Sequence, residues 1–265
     1  MAFPRYDFEE RVALVTGGGS GIGRAAALAF AEHGARVVIA GRNVENHEAT
    51  VAMIHEGGAE GLFVRTDVTV SDQVEAAVDA TLRHFGRLDF AFNNAGFFGG
   101  SMFRLHEASE QNFDEVVAVN LKGTWLCMKY EIAAMLQSSG GSIVNCSSIA
   151  GVIGTPRSAS YTAAKHGVIG MTKAAAIQYA ERGIRVNVVS PGSTDTEMLR
   201  TIYPDAEDRA QRASTIPLER LANPREIAEA ALWLCSDGSS FITGQSIVAD
   251  GGVSAGGRKS PKSSS

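Results

Sequence analysis

Tyr161 and Lys165 stand four residues apart in the helix-patterned stretch SASYTAAKHG, which puts both on one helical face. Of the five tyrosines (6, 130, 161, 179 and 203), only Tyr161 has a lysine four residues on. A free phenol ionises near pH 10, and an ammonium one turn away favours its charged form. Such a pair could give a proton to an oxygen and take it back. Bringing the phenol into the neutral range takes ~4 kcal/mol of differential stabilisation. A second chemistry is written near the start, where Gly17, Gly19, Ser20, Gly21, Ile22 and Gly23 follow the apolar run VALVTG (12–17) and precede an Ala-rich helical pattern. Glycines between a strand and a helix let the backbone turn tightly against a pyrophosphate, whose charge the helix N-terminus favours.

A dinucleotide with a free ribose is usually held by a carboxylate at the end of the second strand. That place holds Gly41, and Arg42 follows it. An arginine pairs with a 2′-phosphate and stacks on adenine, so the residues favour NADP(H), with NAD(H) the alternative.

The elements that must position these groups follow from the pattern. Seven strand-length apolar runs lie at 12–17, 36–41, 61–67, 88–96, 142–148, 184–190 and 246–249. Helical patterns lie between them at 23–34, 44–57, 71–86, 110–137, 160–181 and 224–235, with Ser71 expected as an N-cap. Continuous apolar strands joined by helices indicate an α/β fold: one doubly wound parallel sheet of seven strands with helices on both faces. Residues 191–223, with Pro191, Pro204 and Pro217 around one short helix, are long for a connection and read as a substrate lid. The single domain is expected to span 1–252, and the Gly/Ser-rich segment 253–265, with Arg258, Lys259 and Lys262, to be a flexible tail.

Composition removes other classes. With 45% apolar and 20% charged residues the chain folds, and a net charge of −5 opposes a large nucleic-acid footprint. Cys127, Cys146 and Cys235 are far apart and lack CxxC spacing, so free buried thiols are expected. The six histidines form no i, i+4 pair, and no metal site is expected. No uninterrupted apolar run reaches membrane length, and a cytoplasmic protein is the expectation.

The TGxxxGxG turn resembles that of the classical short-chain dehydrogenase/reductase family, and the likeness runs from about Phe8 to Gly252. It implies a Rossmann-type domain. Asp67-Val68 is similar to the family's pair at adenine, and Asn94, Ala95 and Gly96 belong to an NNAG stretch matching its cofactor floor. Pro191-Gly192 and Thr194 match the motif beside the nicotinamide carboxamide, and Thr196 resembles a further hydroxyl contact. The resemblance implies Tyr161 as general acid/base and Lys165 as the group that lowers its pKa and holds the nicotinamide ribose. It implies Ser148 as the hydrogen bond to the substrate oxygen, in preference to Ser147, and Asn120 as holder of a water in a proton relay. The Lys165 ammonium and a positive nicotinamide ring are the cations able to act on Tyr161. It also implies a homotetramer, with helices of the 110–137 and 160–181 type between subunits.

The activity implied is hydride transfer between a nicotinamide cofactor and a ketone or secondary alcohol. Phe97, Phe98, Met102, Phe103, Val152, Met198, Leu199 and Ile202 would give an apolar substrate wall. A 3-oxoacyl-thioester reductase shares these motifs and stays open. A silent dinucleotide-binding redox sensor is disfavoured because Asn120, Ser148, Tyr161 and Lys165 are all in place. The short C-terminal region opposes an extended-type epimerase, and a methyltransferase needs no Tyr–Lys pair.

Overall fold

Strand β1 (Val12–Thr16) is buried along its whole length, and its alternate side chains enter two different layers. Ala13 and Val15 join the cluster formed by α1 (Gly21–Glu32) and α9 (Pro224–Cys235), with Phe30, Ile227 and Leu232. Leu14 points the other way, into a cluster with Ala77 and Val78 of α3 (Ser71–Phe85), Met128 and Met135 of α5 (Gly123–Met135), and Ala175 and Ala176 of α6 (Ala159–Tyr179). A strand covered on both faces has no polar side to show, which is why the run is apolar rather than alternating.

The computed structural model describes Phe3, residues 5–100 and residues 102–256 of the 265. The remaining strands are β2 (Arg36–Gly41), β3 (Gly61–Arg65), β4 (Phe90–Asn93), β5 (Gly141–Cys146), β6 (Ile184–Pro191) and β7 (Ser246–Ala249). All pairings are parallel, in the order β3-β2-β1-β4-β5-β6-β7. The chain winds outward from β1 in one direction and from β4 in the other, so a crevice opens between these neighbours at the C-terminal edge. Helix α2 (Val44–Glu56) starts at Asn43, whose side chain accepts from Asn46 N.

Three local expectations change. The cap of α3 is Val70, because the Ser71 hydroxyl is bonded to Tyr130 Oη at 2.8 Å. The helix expected over 110–137 divides into α4 (Glu110–Val117), a π-turn at Ala118–Lys122 and α5. The segment after β6 holds two helices, α7 (Glu197–Ile202) and α8 (Ala206–Ser214), rather than one. Beyond Gly252 the backbone forms a 3-10 turn at Val253–Ala255, with Asp250 accepting from Gly252 N and Ser254 N. Arg258, Lys259 and Lys262 lie outside the described residues.

One buried polar cluster ties the centre of the sheet to α5 and α6. Asn93 donates to Glu131 Oε2 at 2.8 Å and to Asn145 Oδ1 at 3.0 Å, and Asn145 donates to Thr172 Oγ1. Glu131 is fully buried, pairs with no cation among the described residues, and its Oε1 has no partner there. Burial pushes its carboxyl up to about 8, only partly opposed by the Asn93 hydrogen bond. The folded chain therefore keeps a proton here that the unfolded chain releases above its ordinary value of 4.5. This contribution is complete below pH 4.5 and is lost as pH rises to about 8, at up to ~1.4 kcal/mol per unit. Urea unfolding of Glu131→Gln and wild type between pH 5 and 8 is expected to show the wild type losing stability relative to the variant as pH rises. Parallel curves would contradict the buried neutral acid.

Candidate active site

The crevice at the β1/β4 switch is a cleft of about 660 Å³, within the usual range of small-molecule sites. Its floor is set by Thr16, the last residue of β1, whose Oγ1 accepts from Asn94 N at 3.0 Å and Ala95 N at 3.1 Å. The Asn94 amide donates back to Thr16 O and Gly17 O, so the two central strands are stitched together just below the glycine turn. Gly17 has φ +68 and lies against Ala95, where a Cβ would meet its Cα at 3.0 Å. Gly23 does not line the cleft; a Cβ there would overlap Gly17 O, so its glycine brings α1 close under the turn. Helix α1 begins at Ser20 with no side-chain cap and no acidic residue in its first turn. Its free N–H groups and positive dipole end therefore face the cleft beside Gly19, Gly21 and Ile22. An open, uncapped helix start behind a glycine turn fits the pyrophosphate of a dinucleotide.

The cleft runs over the ends of β2 and β3, where Gly41, Arg42, Asp67 and Val68 line it. Arg42 is largely exposed, and its guanidinium lies 3.8 Å from Asp67. Two hydrogen bonds from Thr69 and the nearby Arg42 hold the Asp67 carboxyl below the usual carboxylate value, against the opposing effect of burial. Asn43, Asn46, His47 and Thr66 also line this end. The sequence reading missed them because neither periodicity nor motif marks them.

The same cleft is lined by Ser148, Tyr161 and Lys165, by Gly96, Pro191, Gly192 and Thr194, and, beside the glycine turn, by Asn94 and Ala95 against Gly17 and Thr196 against Gly21. Helix α6 carries Tyr161 and Lys165 one turn apart, with the ammonium 5.5 Å from the phenol ring centroid. Lys165 is buried, and its Nζ donates to Cys146 O at the end of β5 at 2.8 Å. Burial lowers the Lys165 pKa and raises that of Tyr161, while a hydrogen bond with Ser148 pulls the phenol back down. Ser147 and Ser148 face different ways. Both line the cleft, but Ser147 is buried and donates to Lys165 O at 2.9 Å, bracing α6, whereas Ser148 Oγ accepts from Ala150 N and is hydrogen-bonded with Tyr161.

Asn120 sits inside the π-turn, fully buried and outside the cleft. Its side chain is committed: Nδ2 donates to Phe97 O at 2.6 Å and Val116 O at 2.9 Å, and Oδ1 accepts from Phe97 N. Its carbonyl accepts from Thr124 Oγ1. Gly96 lies between Asn120 and Lys165, where a Cβ would stand 3.1 Å from Asn120 Oδ1 and 3.7 Å from Lys165 Nζ.

After β6, Gly192 packs on Asp250, and Thr194 Oγ1 donates to Gly192 O. Thr196 caps α7 by accepting from Leu199 N. Helices α7 and α8 then form one wall, where Met198, Leu199 and Ile202 line the cleft opposite Phe98 and Met102, with the Phe98 ring 5.2 Å from that of Tyr161. Phe97, Phe103 and Val152 do not line it. Phe97 is tied by its backbone to Asn120, and Val152 is exposed at 39%. Tyr203 and Arg212, unmarked in the sequence, join the wall, and Arg212 Nε donates to Ser193 Oγ. Among the described residues no three His, Cys, Asp or Glu side chains are grouped to hold a metal ion. None of the described helices is long and apolar enough to cross a membrane, and the three cysteines are free and buried.

The comparisons with known proteins agree with this geometry. The family model described as enoyl-(acyl carrier protein) reductase matches residues 17–254. An A-factor type gamma-butyrolactone 1'-reductase (1S-forming) of Streptomyces virginiae is 44% identical over 247 residues, covering 92% of this chain and 95% of that protein. A cyclohexanol dehydrogenase of Acinetobacter sp. (strain SE19) is 40% identical, covering 92% and 95%. The crystal structure of a single-residue variant of actinorhodin polyketide ketoreductase with NADPH superposes with a TM-score of 0.88 at 35% identity, covering 92% of this chain and 97% of that one. With its seven-stranded parallel sheet and its glycine turn at the switch point, the chain belongs to the short-chain dehydrogenase/reductase family of nicotinamide-dependent oxidoreductases.

Proposed function

We propose that this chain uses NADP(H) to interconvert an apolar ketone, best a cyclic one, and its secondary alcohol. The observation that carries the reading is that Ser148, Tyr161 and Lys165 line the same cleft as the glycine turn and the uncapped start of α1. The nicotinamide, when bound, supplies or accepts the hydride and is positively charged in its oxidised form. The uncapped start of α1 and Gly17, Gly19, Ser20, Gly21 and Ile22 would hold its pyrophosphate. Arg42 would meet the 2′-phosphate, with Asp67 and Val68 at adenine. Asn94, Ala95 and Gly96 would form the cofactor floor, Pro191, Gly192 and Thr194 would frame the nicotinamide, and Thr196, against Gly21, would offer a further hydroxyl.

Ser148 Oγ donates to the substrate oxygen and orients it. In the reducing direction Tyr161 Oη gives its proton to that oxygen as the hydride arrives at the carbon, and in oxidation it takes the proton back. Lys165 stabilises the phenolate so formed. Asn120 acts by position: its side chain anchors Phe97 and the π-turn, and a relay water held beside it would link to Lys165. The apolar wall of Phe98, Met102, Met198, Leu199 and Ile202 supports a ring-shaped apolar substrate, and the cyclohexanol dehydrogenase likeness points the same way. Exposed Phe113, Trp125 and Ile177 on α4, α5 and α6 support a homotetramer, and three free buried thiols support a reducing cytoplasm.

Two measurements test this. Titrated on cofactor-free protein, NADPH is expected to bind at least about tenfold tighter than NADH, ~1.4 kcal/mol. Tighter NADH binding would make Arg42 a surface charge. Tyr161→Phe is expected to lower turnover of cyclohexanone-type ketones by about 10²–10⁴-fold or more. Its NADPH affinity should stay within about threefold of wild type. Retained turnover would remove Tyr161 from the acid/base role.

A further inference from the structure

Gly41 ends β2 with an ordinary backbone conformation, so nothing in its φ demands glycine. What demands it is a side chain. A Cβ at Gly41 would overlap His47 Nε2, and a Cβ at Gly19, across the ring, would stand 2.6 Å from His47 Nδ1. His47 thus fills the space between the phosphate turn and the end of β2, at the wall of the cleft. The ring cannot easily move aside. It is buried at 6% exposure, its Nδ1 lies 2.5 Å from Asn43 O, and it stacks on Phe63 at 5.3 Å. A carbonyl only accepts, so Nδ1 carries the hydrogen and Nε2, which has no partner, is the bare nitrogen turned to Gly41. Burial and the neighbouring Arg24 both disfavour its protonation.

We propose that His47 is a residue that sets the cofactor preference: it excludes a carboxylate from position 41 and so leaves Arg42 as the group that meets the adenosine 2′ position. The inference rests on the dinucleotide reading above and extends it to a residue outside the motifs. In short-chain folds a carboxylate at the end of β2 accepts from the ribose hydroxyls and repels a 2′-phosphate. Here that carboxylate is barred by packing before charge enters. A single Gly41→Asp exchange is therefore not a route to NADH use, whereas removing the ring first opens one.

The test is a cycle of wild type, Gly41→Asp, His47→Ala and the double variant, with dissociation constants for NADPH and NADH on cofactor-free protein and unfolding temperatures without cofactor. Gly41→Asp alone is expected to lose at least about tenfold in affinity for both cofactors and to unfold at a lower temperature than wild type. The double variant is expected to unfold no lower than His47→Ala and to bind NADH at least about tenfold tighter than NADPH. A Gly41→Asp variant that switches to NADH with an unchanged unfolding temperature would overturn the proposal, as would a double variant that still prefers NADPH or a wild type that prefers NADH. Should Gly41→Asp fail to fold, Gly41→Ala carries the stability comparison, because its one methyl meets the same ring. Wild type that binds neither cofactor would overturn the dinucleotide reading instead, and the unfolding temperatures would still decide whether His47 bars a side chain at 41.

Discussion

A lysine ammonium buried against a backbone carbonyl is the constraint around which the rest of this molecule is arranged. Lys165 Nζ donates to Cys146 O at 2.8 Å, and no carboxylate of the described residues acts on it. Burying a charge without a counter-ion costs several kcal/mol, so the surroundings must hold it firmly in place. Strand β5 delivers the carbonyl, and Ser147 clamps α6 by donating to Lys165 O. Gly151 and Gly96 supply the close approach: a Cβ at Gly151 would meet Lys165 O at 2.7 Å, and Gly96 leaves the gap toward Asn120. Once α6 is fixed in this way, helical periodicity alone places Tyr161 one turn earlier, at the cleft beside Ser148.

The same burial sets a condition on the chemistry. The fold by itself moves the phenol pKa up and the ammonium pKa down, opposite to the poise a neutral-range acid/base needs. The Ser148 hydrogen bond offsets only part of this. A positively charged nicotinamide in the cleft has the right sign to add to that stabilisation of a phenolate. The protein alone therefore holds Tyr161 as the protonated acid that reduction uses, and its competence as a base for oxidation is raised in the complex with the oxidised cofactor.

Much of this was readable in the residues, for identifiable reasons. Apolar runs, glycine punctuation and helical spacing placed β2, β7 and α9 with the boundaries now seen, most plainly for β2, whose burial on both faces leaves an unbroken apolar signal. The glycine turn and the Tyr161–Lys165 spacing were legible because local geometry fixes both. What failed was tertiary. The Ser71 hydroxyl is drawn to Tyr130 on another helix, and the π-turn at Asn120 exists because its amide bonds the Phe97 loop, 23 residues away in sequence. Phe97 and Val152 look like pocket residues by type, yet the backbone ties one down and turns the other out. His47 carries no sequence signal. Only the normal φ of Gly41, known once the fold is, shows that its glycine answers to a neighbour rather than to a turn.

The most direct test of the central claim is the ultraviolet titration of the Tyr161 phenol, taken as the difference between wild type and Tyr161→Phe, without cofactor and then with saturating oxidised dinucleotide. In the cofactor-free protein the Tyr161 transition is expected above the ordinary phenol value of 10.0. In the complex it is expected to be lowered by at least about one pH unit, ~1.4 kcal/mol. A cofactor-free Tyr161 that already ionises in the neutral range would contradict the account, and would mean that Lys165 and Ser148 alone overcome the burial of the phenol.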